Sequence, residues 1–451
     1  MIVTGSIILN PLELAWLGLV SLYAIWRGRP EIPLAIYLSV SLWTRTVLVG
    51  SVAATWPLLA VIVLALIRYL HVTRPWSLLP HRLDLTTRQL FPANDAWIVP
   101  WMVLWWAWAI CVLLQFNLRD KMSILRPLLL YIIIGSLVAF MAIRDASAAR
   151  RFAITYLLTS TYGLYAALRF IQVPLEYLLS DPGLSSLPYR NLGIREYNHF
   201  SHHLSIAFIL GLGLFLQVRQ WWSMGFFLAL TLWCGYGIFL TGARQSLSGA
   251  GVAAALIFVW VLSREGKKPW RVPLAIAVIG LTIVALYQIA PHLVVRADES
   301  GLGDSFNIFE DRGGLWLIGW NYFLASPVWG WGFEYKLWSH NLFIGTLADQ
   351  GLVGMVFFLG YLVWALRRLP YVWTQTPTDD RALWRAVFFA IFVFALVHGQ
   401  ASGNTMSTAH LHWSLWVVWA LGYGVIVAVT RQPLPAPPRV RLRSVPVGGE
   451  A

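Results

Sequence analysis

SHNLFIGTLADQGLVGMVFFLGYLVWAL, residues 339–366, joins two kinds of sequence. Its first three residues, Ser339-His340-Asn341, close a polar stretch that begins at Pro291. The remainder is apolar and long enough to cross roughly 30 Å of hydrocarbon as a helix. Along it Gly345, Ala348, Gly351 and Gly354 recur every three residues. That spacing predicts a stripe of small residues for helix packing, where a second helix or a lipid chain can approach closely. A histidine at the wet mouth of such a helix suggests chemistry at a membrane surface, on something too polar to cross.

Outward from this segment, similar apolar runs lie near 6–26, 51–70, 96–116, 124–143, 152–172, 221–240, 246–263, 272–290, 386–401 and 408–429. A shorter run covers 204–218, and the weakest, 31–49, is interrupted by Thr44-Arg45-Thr46. The fold expected is an all-α polytopic membrane protein with 12–13 transmembrane helices. A composition 58% hydrophobic and only 12% charged excludes an ordinary soluble domain. Residues 1–430 read as one membrane domain that includes the long loop 291–340. Residues 431–451 form a basic, Pro-rich tail expected to be disordered. The first run has no basic n-region and no small-residue cleavage site, so it reads as a retained helix.

Most of the 33 basic residues fall in one set of alternate loops, including Arg68, Arg74, Arg150, Arg151, Lys267, Lys268, Arg381 and Arg439. That side is assigned to the cytoplasm. The net charge of +13 is then largely a matter of topology, and nucleic acid is not an expected partner. The loops 173–203 and 291–340, and the turn at Arg244, fall on the opposite side. The N-terminus comes out external with thirteen crossings and internal with twelve. Cys111 and Cys234 both lie inside apolar runs, where a disulfide or a metal cluster is not expected. The 26 tryptophans fit interfacial belts; sugar stacking is open to Trp329, Trp331 and Trp338 in the loop.

His340 sits where a helix begins. Free amides and the positive end of the dipole favour an anion there and disfavour imidazolium, so a neutral, proton-accepting ring is expected. Asn341 either caps the turn or holds the imidazole. Arg244, in Thr241-Gly242-Ala243-Arg244-Gln245-Ser246, lies between two spanning runs, where an arginine is expensive unless it meets an anion or lines a wet cavity. Arg190, Arg195 and His199 precede another helix, and Arg312 lies in the long loop. Guanidinium groups suit bidentate capture of phosphate oxygens, and a local salt bridge is the alternative. His199, His202 and His203 share a helical face, but no neighbouring ligand set completes a metal site. His398, His410 and His412 flank the last outer loop and are candidates for the same cavity. Asp349 and Gln350, about 13 Å along the helix, require a paired or neutral acid.

Read together, Arg312…Trp316…Pro327-x2-Gly330-x-Gly332…His340-Asn341-x9-Gly351-x2-Gly354 resembles the O-antigen ligase and polymerase family of bacterial envelope enzymes. The Thr-Gly-Ala-Arg turn at Arg244 is similar to that family's Thr-Gly-Ser-Arg turn, with Ala243 in place of serine. The close match spans roughly 190–360. The resemblance implies a helical bundle like those of lipid-linked glycosyltransferases, with a periplasmic helical subdomain, in the inner membrane. It implies transfer of a glycan from undecaprenyl diphosphate to a sugar hydroxyl of the lipid A core, or onto another lipid-linked repeat in the polymerase branch. The loop length and the histidine-to-glycine spacing look more like the ligase branch. No cofactor or metal is implied. On this reading His340 is the general base, and Arg195 and Arg244 stabilise the leaving diphosphate. Arg190, Arg312, Asn341, His199 and Trp338 would then contact substrate. A transporter or flippase of lipid-linked glycan is the alternative from another class, although no internal symmetry of the kind such proteins show is evident.

Overall fold

A computed structural model describes residues 7–8, 11–40, 47–49, 52–53, 55–73, 98–114, 132–171, 197–241, 243–263, 273–274, 276–277, 279–280, 308–332, 339, 341–367, 380–402, 411–418 and 420–421. Among these the molecule is a helical bundle with one minor β patch. The helices are α1 (Pro11–Arg27), α2 (Glu31–Val40), α3 (Thr55–Thr73), α4 (Ile98–Leu114), α5 (Gly135–Ala142) and α6 (Ala146–Ile171). They continue as α7 (Tyr197–Gln217), α8 (Trp221–Thr241), α9 (Arg244–Leu262), α10 (Ile308–Ala325), α11 (Leu342–Arg367) and α12 (Asp380–Ser402). Five contain stretches long and apolar enough to span a membrane: Phe200–Gln217, Trp221–Thr241, Gln245–Leu262, Leu342–Trp364 and Asp380–Gln400. The chain is a multi-pass membrane protein.

The core forms where α7 and α12 pack side by side, with α6, α8, α9 and α11 around them. Both central helices are mostly buried, and Phe152, Phe215, Phe388 and Trp413 fill the space between layers. The outer helices turn large side chains such as Trp16, Leu22, Phe226 and Val259 outward, as lipid-facing surfaces do.

The run 31–49 does not form one spanning helix. Helix is seen over Glu31–Val40, and β2 (Val47–Val49) then pairs in parallel with β1 (Ile7–Ile8) and antiparallel with β3 (Val52–Ala53). These strands were not expected. They show how the run is used. Gly28, with φ +58 after α1, lies against the backbone of Tyr69 near the end of α3, while β1 and β2 join the starts of the same region. Helices α1 and α3 therefore run the same way, and residues 31–49 carry the chain back between them. At its Glu31 end this return is anchored by a 2.6 Å ion pair from Arg151 to a carboxylate that is only 2% exposed.

Helix α7 begins seven residues before the apolar run 204–218, and the segment 291–340 contains the 18-residue helix α10. The tail 431–451 lies outside the described residues.

Candidate active site

Four helix ends that carry the expected site residues meet at one end of the bundle. Helix α9 starts at Arg244, with Ala243 at its N-cap and no side-chain cap. The amides of Ser246 and Leu247 bond to the Ala243 carbonyl at 3.0 and 3.2 Å. One turn in, the buried Ser246 hydroxyl lies 2.7 Å from that of Ser201 on α7, and Ser205 Oγ donates to the Ser201 carbonyl at 2.8 Å. On the same stretch of α7, His202 Nδ1 meets His398 Nδ1 of α12 at 3.2 Å. Such a contact requires one ring to carry the proton and the other to accept it. His203 Nδ1 lies 2.7 Å from the Tyr156 hydroxyl on α6. Within the bundle each of these contacts pairs polar atoms that would be expensive to bury alone.

The start of α11 joins this end through Asn341. Its Oδ1 accepts the amides of Phe343 and Ile344 at 3.0 and 3.1 Å, and its Nδ2 donates to the Gln400 carbonyl on α12 at 3.4 Å. Asn341 is thus a helix N-cap. Ser339, fully buried, donates to the Asn341 carbonyl at 3.0 Å.

Ten residues further, α11 is broken. Gly351 has φ +65 and ψ −167, and the loop after α10 supplies the hydrogen bonds the helix loses there. Trp331 and Gly332 donate to the carbonyls of Ala348 and Asp349, and the Leu352 amide donates to Pro327, each at 2.8 Å. The fourth freed group, the Gln350 carbonyl, accepts Trp108 Nε1 of α4 at 2.9 Å. Backbone can leave helical geometry inside a membrane protein where its polar groups are met in this way. The expected packing role of Gly351 is corrected accordingly. Its close neighbours are the Val328 carbonyl and the Gly330 amide of the loop. At Gly354 the space a Cβ would take is bounded by the Gln350 side chain of the same helix and the Trp108 ring edge of α4, and Gly345 is buried in the first half of α11. Asp349 is buried at the break, 5% exposed.

An apolar groove of about 640 Å³ runs between α8 and α9, lined by Phe239, Leu247, Ala250, Ala254 and Phe258. From Leu247 to Phe258 it follows α9 for about 16 Å. Leu247 stands one turn from Arg244, so the groove leads to the end where the polar seams lie.

His340, Arg195, Arg190 and Trp338 lie outside the described residues, as do the side chains of Arg244, His199 and Arg312. The backbone of Arg244 opens α9, that of His199 lies in the first turn of α7, and that of Arg312 in the first turns of α10. The structure brings together the segments of Arg244, His199 and Asn341, and it places His398 beside them. His412 lies elsewhere, fully buried and stacked between Trp105 and Tyr361. Of the loop tryptophans, Trp331 donates to the Tyr322 carbonyl at 2.7 Å and Trp329 stacks on Trp108, so both serve the break in α11. Among the described residues no three His, Cys, Asp or Glu side chains gather as metal ligands do. Sequence reasoning missed Ser201, Ser246 and Gln400, whose partners are distant in the chain. It also missed Trp108, one of several tryptophans in an apolar run.

Residues 229–359 match the family model described as O-Antigen ligase. No curated protein matches the chain. The matched segment holds Arg244, Arg312, His340, Asn341, Gly345, Gly351 and Gly354, and it begins after Arg195 and His199. Within its multi-pass helical body, the chain is thus similar over residues 229–359 to the O-antigen ligase family.

Proposed function

We propose that the protein is an O-antigen ligase, a glycosyltransferase of the inner membrane that works on the periplasmic side. It moves a glycan from undecaprenyl diphosphate to a sugar hydroxyl of the lipid A core. The observation that carries this reading is the meeting of the α7, α9, α11 and α12 ends through Ser201–Ser246, His202–His398 and Asn341–Gln400. It brings together the starts of α7, α9 and α11, which in the chain follow Arg195, open at Arg244 and follow His340, and the groove along α9 suits a prenyl chain.

In this mechanism His340 takes the proton of the acceptor hydroxyl as its oxygen attacks the anomeric carbon. The bond from that carbon to the phosphate oxygen breaks, the configuration inverts, and undecaprenyl diphosphate leaves. Arg195 and Arg244 stabilise the charge that develops on the leaving oxygens, so neither a cofactor nor a metal is needed. Arg190, Arg312, His199, Asn341 and Trp338 frame donor and acceptor. The return of residues 31–49 belongs to the thirteen-crossing topology, with the N-terminus on the site's side.

The test incubates purified protein with undecaprenyl diphosphate-glycan and rough lipopolysaccharide. A conjugate on the lipid A core, abolished by His340→Ala in a protein that still inserts, is the expected result. Lengthened lipid-linked chains would instead identify a polymerase. Movement of the lipid-linked glycan across a vesicle without either product would identify a transporter.

A further inference from the structure

Two contacts of Trp108 fall on the break in α11, and its ring also meets Phe357 edge-on, with centroids 6.3 Å apart, in the half that follows. Its indole lies on Trp329, with ring centroids 4.9 Å apart and planes 17° apart, and its Nε1 donates to the Gln350 carbonyl. Gln350 ends the first half of α11, and Trp329 belongs to the Pro327–Gly332 segment that bonds across the gap. The ladder is interrupted at Gly351, where the backbone leaves helical geometry, the Leu352 amide turns to Pro327 and the carbonyls of Ala348 and Asp349 accept from the loop. That angle is held by the loop and, through both contacts, by α4.

The first half of α11 is a lever. It runs from the Asn341 cap to Gln350, about 15 Å at 1.5 Å per residue, and His340 is the residue before the cap. Gly332 is bonded to Asp349 at one end of this half-helix, and Asn341 caps its other end, so both residues ride on the lever. A rotation of about 4° at Gly351 moves the lever's far end by about 1 Å, and a displacement of that size is enough to lower a rate about 100-fold.

We propose that Trp108, which lies outside the matched segment 229–359, is a positioning residue for the transfer reaction. It sets the angle of the broken helix and so holds the His340 end in register with the Arg244 end. The proposal rests on the transfer reading above.

The test measures transfer from undecaprenyl diphosphate-glycan to rough lipopolysaccharide, together with amide exchange, in the full-length protein, Trp108→Ala and Trp108→Phe. Trp108→Ala is expected to lower kcat by about 10- to 100-fold while KM for donor and acceptor stays within about twofold. Exchange at Trp331, Gly332 and Leu352 should quicken, with that over the α7 and α12 cores unchanged. Phenylalanine keeps the stack and loses the hydrogen bond, so Trp108→Phe should fall between. Unchanged exchange in Trp108→Ala, or faster exchange with unchanged kcat, would overturn the positioning role while wild-type transfer stands. A raised KM with kcat intact would overturn it too, as a binding effect. Absence of transfer by the wild-type protein would sink the transfer reading, and the positioning role with it.

Discussion

Ser201 and Ser246 share a hydrogen bond of 2.7 Å between α9, which opens at Arg244, and α7, which begins two residues after Arg195 in the chain. Small hydroxyl side chains let α7 and α9 approach closely and leave a polar seam where leucine would leave none. Ser246→Ala should lower stability by about 1 kcal/mol, the usual net worth of such a bond. Transfer activity should fall more than this, because the seam sets the spacing of the α7 and α9 starts. Thermal unfolding in detergent beside a glycan-transfer assay checks it; a stability loss without an activity loss would leave the seam a packing feature.

Asn341 accepts two amides at the start of α11 and donates across to α12. Asn341→Ala removes the cap and should cost about 1 kcal/mol, most of which Asn341→Ser should restore. Serine lacks the amide donor to Gln400, so it should restore stability without restoring full activity. Equal recovery of both would show that the contact to α12 is dispensable.

Arg244 opens α9 at an uncapped N-terminus. If its guanidinium grips two phosphate oxygens, Arg244→Ala should lose most activity and Arg244→Lys should regain only part, since a lysine offers a point charge in place of a fork. Full activity in the lysine variant, measured as transfer at saturating donor, would rule out bidentate capture.

The spanning helices were legible because hydrophobic length is a local property. Where sequence reading stopped short, the deciding partner was distant. A hydropathy reading starts α7 near Leu204, yet the helix begins at Tyr197, because His202 and His203 find His398 and Tyr156 inside the bundle. Gly351 reads the same whether a helix packs on it or the backbone breaks at it. Val328 decides, from 23 residues earlier, and Trp108 from far earlier still. Within 31–49, Thr44-Arg45-Thr46 did warn against a continuous helix. It carried no sign that β2 would pair with residues 7–8.

Asp145 caps α6 from the loop before it, accepting Ser147 Oγ at 2.6 Å and the Ala148 amide at 2.8 Å. Burial pushes its carboxyl up, but these hydrogen bonds and Arg151 outweigh burial and hold it below the ordinary carboxylate value. The folded state therefore releases this proton more readily than the unfolded chain, whose value is about 3.9. The stabilisation is present in full above that value and is lost as pH falls through the lower folded one. In thermal unfolding from pH 7 down to 3, the wild type should be more stable than Asp145→Asn by a constant margin at first. The margin should shrink below about pH 4. A margin that did not change with pH would remove the charge from the account.

Gly351 and Gly225 are both helical by assignment, and the structure predicts opposite outcomes for alanine. Gly225, in α8, has open space where a Cβ would stand, so alanine should be neutral or stabilise the helix by up to about 1 kcal/mol. At Gly351 the positive φ with extended ψ belongs to a region that only glycine enters at ease, worth about 1 to 3 kcal/mol of strain. A Cβ there would also collide with the Val328 carbonyl. Gly351→Ala should therefore destabilise by more than the strain alone and quicken amide exchange at Leu352 and Trp331. If α11 were continuous and Gly351 merely a packing notch, the same substitution would leave those two amides as protected as before.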